Sequence, residues 1–171
     1  MDNPSIYAAD LAAYNNGILH GAWIDATRDL EDMQKALQEM LKASPMGQRA
    51  EEWAIHDYAS FHSLRISEHQ GLEHVRELAL FVEEHGRLGT GVLENFGYDV
   101  EQAKEALEES YAGQYVYLSD FAEQLTEDTT EVPEALQYYI DYEAMGRDME
   151  LGGDIFTVKT EHLVVHVFWN R

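Results

Sequence analysis

The apolar positions of the chain change period several times, and each change predicts a different element. Ile6–Tyr14 and Ile18–Ala26 are apolar-rich runs on either side of Asn15-Asn16-Gly17, which predicts two strands joined by a hairpin turn. From Leu30 to Ala43 the spacing becomes helical, with Leu30, Met33, Leu37, Met40 and Leu41 on one face. Thr27 or Asp29 can cap that helix, and Ser44-Pro45 ends it. Glu52–Tyr58 alternates imperfectly and predicts a third strand.

Leu72–His85 returns to the helical period through Leu72, Val75, Leu78, Ala79 and Val82, and Gly86 is its expected stop. Thr90–Phe96 predicts a short helix. Asp99 can cap the next one with Gln102 three residues on, and Val100, Ala103 and Leu107 form its apolar stripe. Tyr111–Leu118 predicts a short strand, and Ser119 or Asp120 the cap of a helix to about Leu125. Pro133 suits the first position of a further helix through Leu136, Tyr139 and Ile140 towards Met149, broken by Gly152-Gly153. Ile155–Trp169 predicts a β-hairpin turning near Glu161-His162. The class is α+β, in two or three small lobes, and the pattern divides into three stretches: an N-terminal sheet-plus-helix stretch over 1–60, a helical middle over 61–110 and a mixed C-terminal stretch over 111–171.

Composition changes this picture through the sign of its charges. The 171 residues hold 33 Asp and Glu against 11 Lys and Arg, a net charge of -22, while 45% are hydrophobic and 11% aromatic. Acidic disordered chains are poor in such residues, so a folded body is expected. The absence of cysteine excludes disulfides, thiolate metal sites and Cys nucleophiles. The N-terminal MDNPSIYAADL lacks a signal peptide's basic and apolar regions, and no apolar run is long enough to span a bilayer, so a cytoplasmic protein without membrane contact is expected. A small domain needs a net charge of only about 2 to 8 for solubility. A salt-rich host would also tolerate the acidity, and a basic partner would use it.

The acids are spread over the chain: ten against four bases in 1–60, eleven against four in 61–110, and twelve against three in 111–171. Glu73, Glu77 and Glu84 fall within about 40° of one another on a helix, over roughly 16 Å of axis. Glu101, Glu105, Glu108 and Glu109 form a second row opposite Val100, Ala103 and Leu107. Like charges at this spacing destabilise a helix unless a Lys or Arg relieves them, and Arg76 and Lys104 offer little relief. Such a row resembles a phosphate backbone to an Arg/Lys-lined groove; a merely solvated face would look similar.

Catalytic and ligand-binding signatures are lacking. None of the eight His sits in an HExxH, ExxH or HxH arrangement, so no metal site is expected. Gly86-Arg-Leu-Gly89-Thr-Gly91 follows a helix and lacks the P-loop Lys, and no DxDxDG calcium loop occurs. No catalytic residue and no cofactor are assigned, and an enzyme is not expected. Direct nucleic-acid binding is not expected either, because the 11 bases do not cluster.

The C-terminal third carries a long pattern, DFAEQLTEDTTEVPEALQYYID followed by YEAMGRDMELGGDIFTVKT and HVFWNR. With IYAADLAAYNNGILHGAWIDA and EEWAIHDYASF near the N-terminus, it resembles the ArdA family of antirestriction proteins, carried by conjugative plasmids and transposons. The resemblance implies an elongated, three-lobed homodimer joined through its C-terminal lobe. It also implies a mimic of bent B-form DNA that occupies the DNA groove of type I restriction-modification enzymes, acting on the methyltransferase core. The alternative function is a general acidic adaptor or sequestrant of basic DNA-binding proteins. The acids assigned to a mimic surface are Glu73, Glu77, Glu83, Glu84, Glu94, Asp99, Glu101, Glu105, Glu108, Glu109, Asp120, Glu123, Glu127, Asp128 and Glu131. Leu125–Asp141 matches the region tied in that family to antirestriction and dimer contact, and Val132, Leu136, Tyr138, Tyr139 and Ile140 are the candidate dimer residues. Two chains of net charge -22 carry the charge of about 22 base pairs, or roughly 75 Å of duplex.

Overall fold

Strand β1 (Ser5–Asp10) is the centre of a three-stranded antiparallel sheet, with β2 (Gly21–Asp25) on one side and β3 (Trp53–Ala59) on the other. It belongs to a computed structural model that describes residues 3–171 as two compact units, one ending at Thr90 and one starting at Gly91. Ile6 pairs with Ile24 on the buried face, and Tyr7 with Trp23 on the other, their ring centroids 5.6 Å apart.

The first strand is shorter than its apolar run. The Asp10 carboxylate accepts from the amides of Ala12 at 2.9 Å and Ala13 at 3.3 Å, which turns Leu11–Asn15 into a one-turn helix, α1. An aspartate inside an apolar run is an N-cap signal, and here it outweighs the strand pattern through Tyr14. Asn16 and Gly17 therefore close α1 instead of forming a two-residue hairpin turn, and the second strand starts only at Gly21. The Ser44 hydroxyl donates to the other Asp10 oxygen, so this fully buried carboxylate is satisfied by hydrogen bonds.

Helix α2 (Leu30–Lys42) occupies its expected span and buries Met33, Leu37 and Met40 while packing against β1 and β2. Asp29 makes no capping bond; its carboxylate receives Arg76 instead, at 3.4 Å. Helix α3 (Leu72–Asn95) buries Leu72, Val75, Leu78, Ala79 and Val82 as its spacing requires. Gly86 breaks it with φ 54° and ψ −142°, a conformation open to glycine, and a second helical limb follows at once in place of a separate Thr90–Phe96 helix.

In the second unit, the central strand is β6 (Val164–Trp169), between β4 (Tyr111–Tyr115) and β5 (Ile155–Glu161). The β5–β6 hairpin has its expected span and turns at His162-Leu163. One face of this sheet holds Ile155, Val165 and Val167 with Phe121; on the other, Phe156 stacks on Phe168 at 4.9 Å. With both faces covered, β6 is buried over Val165–Phe168 and shows no alternation. A Cβ on Gly91 would lie 2.3 Å from Val158 Cγ1, so the helix limb lies directly on the sheet there.

Helix α4 (Val100–Glu105) begins at Asp99, which accepts from the Gln102 amide at 3.0 Å and from its side chain at 2.8 Å. The regular helix expected beyond it widens into a π turn over Ala106–Ser110, so Ala106 is buried and Leu107 only half-buried. Helix α5 (Leu118–Thr129) starts before the expected caps: Asp120 stands on its third residue and accepts from the Tyr117 amide at 2.9 Å. The helix expected from Pro133 to Met149 is two pieces. A 3₁₀ turn over Glu134–Tyr139 is followed by α6 (Tyr142–Gly152), whose own cap is Asp141, accepting from Ala144 N at 2.9 Å.

Candidate functional site

The fold sorts the fifteen assigned acids by what already holds them. Asp99 and Asp120 cap helices, and the Gln102 amide and side chain hold the Asp99 carboxyl below its ordinary range. Glu77 lies 3.1 Å from His74, Glu84 3.7 Å from His85, and Glu101 3.7 Å from Lys104. Glu73, Glu83, Glu94, Glu105, Glu108, Glu109, Glu123, Glu127, Asp128 and Glu131 are all exposed. Among the described residues these ten make no ion pair and no side-chain hydrogen bond.

Each element explains why its acids stay unrelieved. On α3 the apolar residues turn Glu73, Glu77, Glu83 and Glu84 outward, and all four precede the Gly86 break. Arg76, the base nearest to Glu73 and Glu77 in sequence, is drawn away: its Nε donates to the Arg28 carbonyl at 2.7 Å and its guanidinium reaches Asp29. Along α4 and its π turn the buried side is Val100, Ala103, Ala106 and Ser110, leaving Glu101, Glu105, Glu108 and Glu109 exposed; Lys104 pairs with Glu101, and Arg171 lines one cleft with Glu105 and Glu109. On α5, Phe121, Ala122 and Thr126 face inward, opposite Glu123, Glu127 and Asp128. The second unit carries eighteen acids against four bases, the first fifteen against seven.

The candidate dimer residues lie on the chain between α5 and α6. Tyr138 is 93% exposed, Tyr139 84% and Leu136 53%, so none of these three belongs to the core of a single chain; Val132 and Ile140 are half-buried. Leu151, on α6, is also exposed, at 79%.

Sequence reasoning missed a cleft of about 410 Å3 in the first unit, lined by Tyr14, Ile55, His56, Tyr58, Ile66 and Glu68. Tyr14 reaches it only because Asp10 starts α1, and that cap was the available signal. Among the described residues, no group of three or more His, Asp and Glu is placed to hold a metal ion, and no helix is long and apolar enough to cross a membrane.

No curated protein matches the chain. The family model described as antirestriction protein (ArdA) matches residues 6–164, a span that takes in the first sheet from Ile6, strands β4 and β5, both acidic helix rows and the exposed 3₁₀ turn, and that ends at the first residue of β6. The chain belongs to the ArdA family of antirestriction proteins.

Proposed function

We propose that the protein is a polyacidic mimic of DNA that binds the DNA groove of type I restriction-modification enzymes and keeps DNA out by occupying it. The observation that carries this reading is the set of ten exposed carboxylates that have no ion-pair partner among the described residues, fixed on α3, α4, α5 and the segments beside them. A DNA-binding groove is lined with Lys and Arg spaced to meet phosphates, and carboxylates on rigid elements offer it the same charge. The protein acts by binding, without catalysis or cofactor, in the cytoplasm. The same reading carries the three lobes 1–60, 61–110 and 111–171, and an extended homodimer joined near Val132–Ile140.

Pairing of two charged surfaces releases the ions condensed on both, so affinity falls as salt rises. Affinity for a type I methyltransferase core, measured between about 50 and 500 mM salt, is expected to drop by orders of magnitude and to compete with duplex DNA. A flat salt dependence, or simultaneous binding of protein and DNA, would falsify the mimicry. Equal capture of unrelated basic proteins would favour a general sequestrant instead.

A further inference from the structure

We propose that the cleft formed by Tyr14, His56, Tyr58 and Glu68 is a preformed receptor for one arginine side chain of the bound enzyme. This rests on the DNA-mimic reading for the identity of the partner, and it adds a shaped anchor to a surface otherwise made of separate exposed charges. Buried Ile55 and Ile66 belong to the same lining and give the cleft an apolar base. The Tyr14 ring meets the His56 ring edge-on at 4.6 Å, and the Tyr58 ring leans on buried Phe61 at 6.1 Å, so each aromatic wall is held by a neighbour. Glu68 is tied to β3 by the Ile55 amide, which donates to its carbonyl at 2.8 Å. Its carboxylate lies 3.8 Å from His56 Nε2 and, among the described residues, meets no Lys or Arg, although Arg65 is only three positions away.

Two aromatic walls, an apolar base and a carboxylate without a permanent cation suit a guanidinium in particular. The planar cation stacks on aromatic faces and bonds a carboxylate through two parallel N–H groups, while its apolar stem covers the isoleucines. An ammonium lacks the planar stacking and the bidentate bond. Arginine, like tyrosine and tryptophan, is over-represented among the residues that dominate interface affinity.

The test has two arms. In the first, N-acetyl-arginine amide is titrated into the full chain and the ring signals of Tyr14, His56 and Tyr58 are followed by NMR. Saturable shifts are expected in the wild type, weaker ones with N-acetyl-lysine amide, and none in Glu68→Gln or Tyr14→Ala. Both altered residues are exposed, so both variants are expected to fold. Absence of saturation, or its persistence in both variants, overturns the receptor whatever the protein's function. In the second arm, Glu68→Gln and Tyr14→Ala are expected to weaken binding to the type I enzyme about tenfold, against less than about threefold for Glu51→Gln, an exposed acid outside the cleft. Equal small losses in all three overturn the arginine receptor and leave the mimicry intact. Mimicry itself fails on a flat salt dependence, a result the first arm does not share.

Discussion

Asp10 and His166 are both buried polar residues on central strands, and each joins elements that lie far apart in sequence. Asp10 ties β1 to α1 and to Ser44 beyond α2. His166 ties β6 to both neighbouring strands, with Nδ1 2.9 Å from the Tyr111 hydroxyl and Nε2 3.2 Å from that of Thr160. Burial holds the imidazole below its ordinary 6.5, because a charge there would lose its hydration. When an acidifying solution passes that ordinary value, the unfolded chain takes up a proton that the folded chain resists. Stability from this residue is therefore complete above about pH 6.5 and declines as pH falls through the lower, folded value. His166→Gln keeps a polar group between the two hydroxyls but cannot titrate. Thermal melts at pH 7 and pH 5 should show a larger drop in the wild type than in this variant. Parallel drops would mean that other groups set the acid sensitivity.

At the scale of elements, long single-period stretches were legible and mixed ones were not. The α2 span and the β5–β6 hairpin follow from spacing and flanking breakers, since each buries one consistent face or pairs locally. The β1–α1 junction and the split at Asp141 were hidden because one aspartate's capping bonds decide them against an apolar background. The Glu101–Glu109 row was legible in sequence because its acids stay exposed whether Ala106–Ser110 winds as an α or a π turn. The Tyr14–Glu68 cleft was not, because its lining comes together only through α1 and the β1–β3 pairing. The row makes a prediction at this scale. Exchanging Glu101, Glu105, Glu108 and Glu109 for Gln together should weaken inhibition about ten- to a hundredfold, as four exposed pairs of about 0.35 to 0.7 kcal/mol each imply. Removing like charges from adjacent positions should leave the melting temperature unchanged or higher. Full inhibition by this variant would place the binding surface elsewhere.

For the whole molecule, the proposed mimicry requires twice the charge of one chain, so oligomeric state and inhibition should change together. The exposed stretch with Leu136, Tyr138 and Tyr139 is the proposed contact, and in a twofold dimer each residue there meets the same segment of its partner. Tyr138→Asp would bring a carboxylate into that apolar contact from both sides, adding like charges to desolvation. Because Tyr138 is 93% exposed in the single chain, the substitution removes no core packing, and the variant should fold with an unchanged circular dichroism spectrum. Sedimentation is expected to find a monomer at concentrations where the wild type is a dimer. Inhibition should weaken in parallel, and its salt dependence should become shallower because one chain releases about half the ions. A variant that remains dimeric would move the contact away from Val132–Ile140. A monomer that inhibits with full potency and an undiminished salt dependence would show that one chain supplies all the charge the enzyme reads.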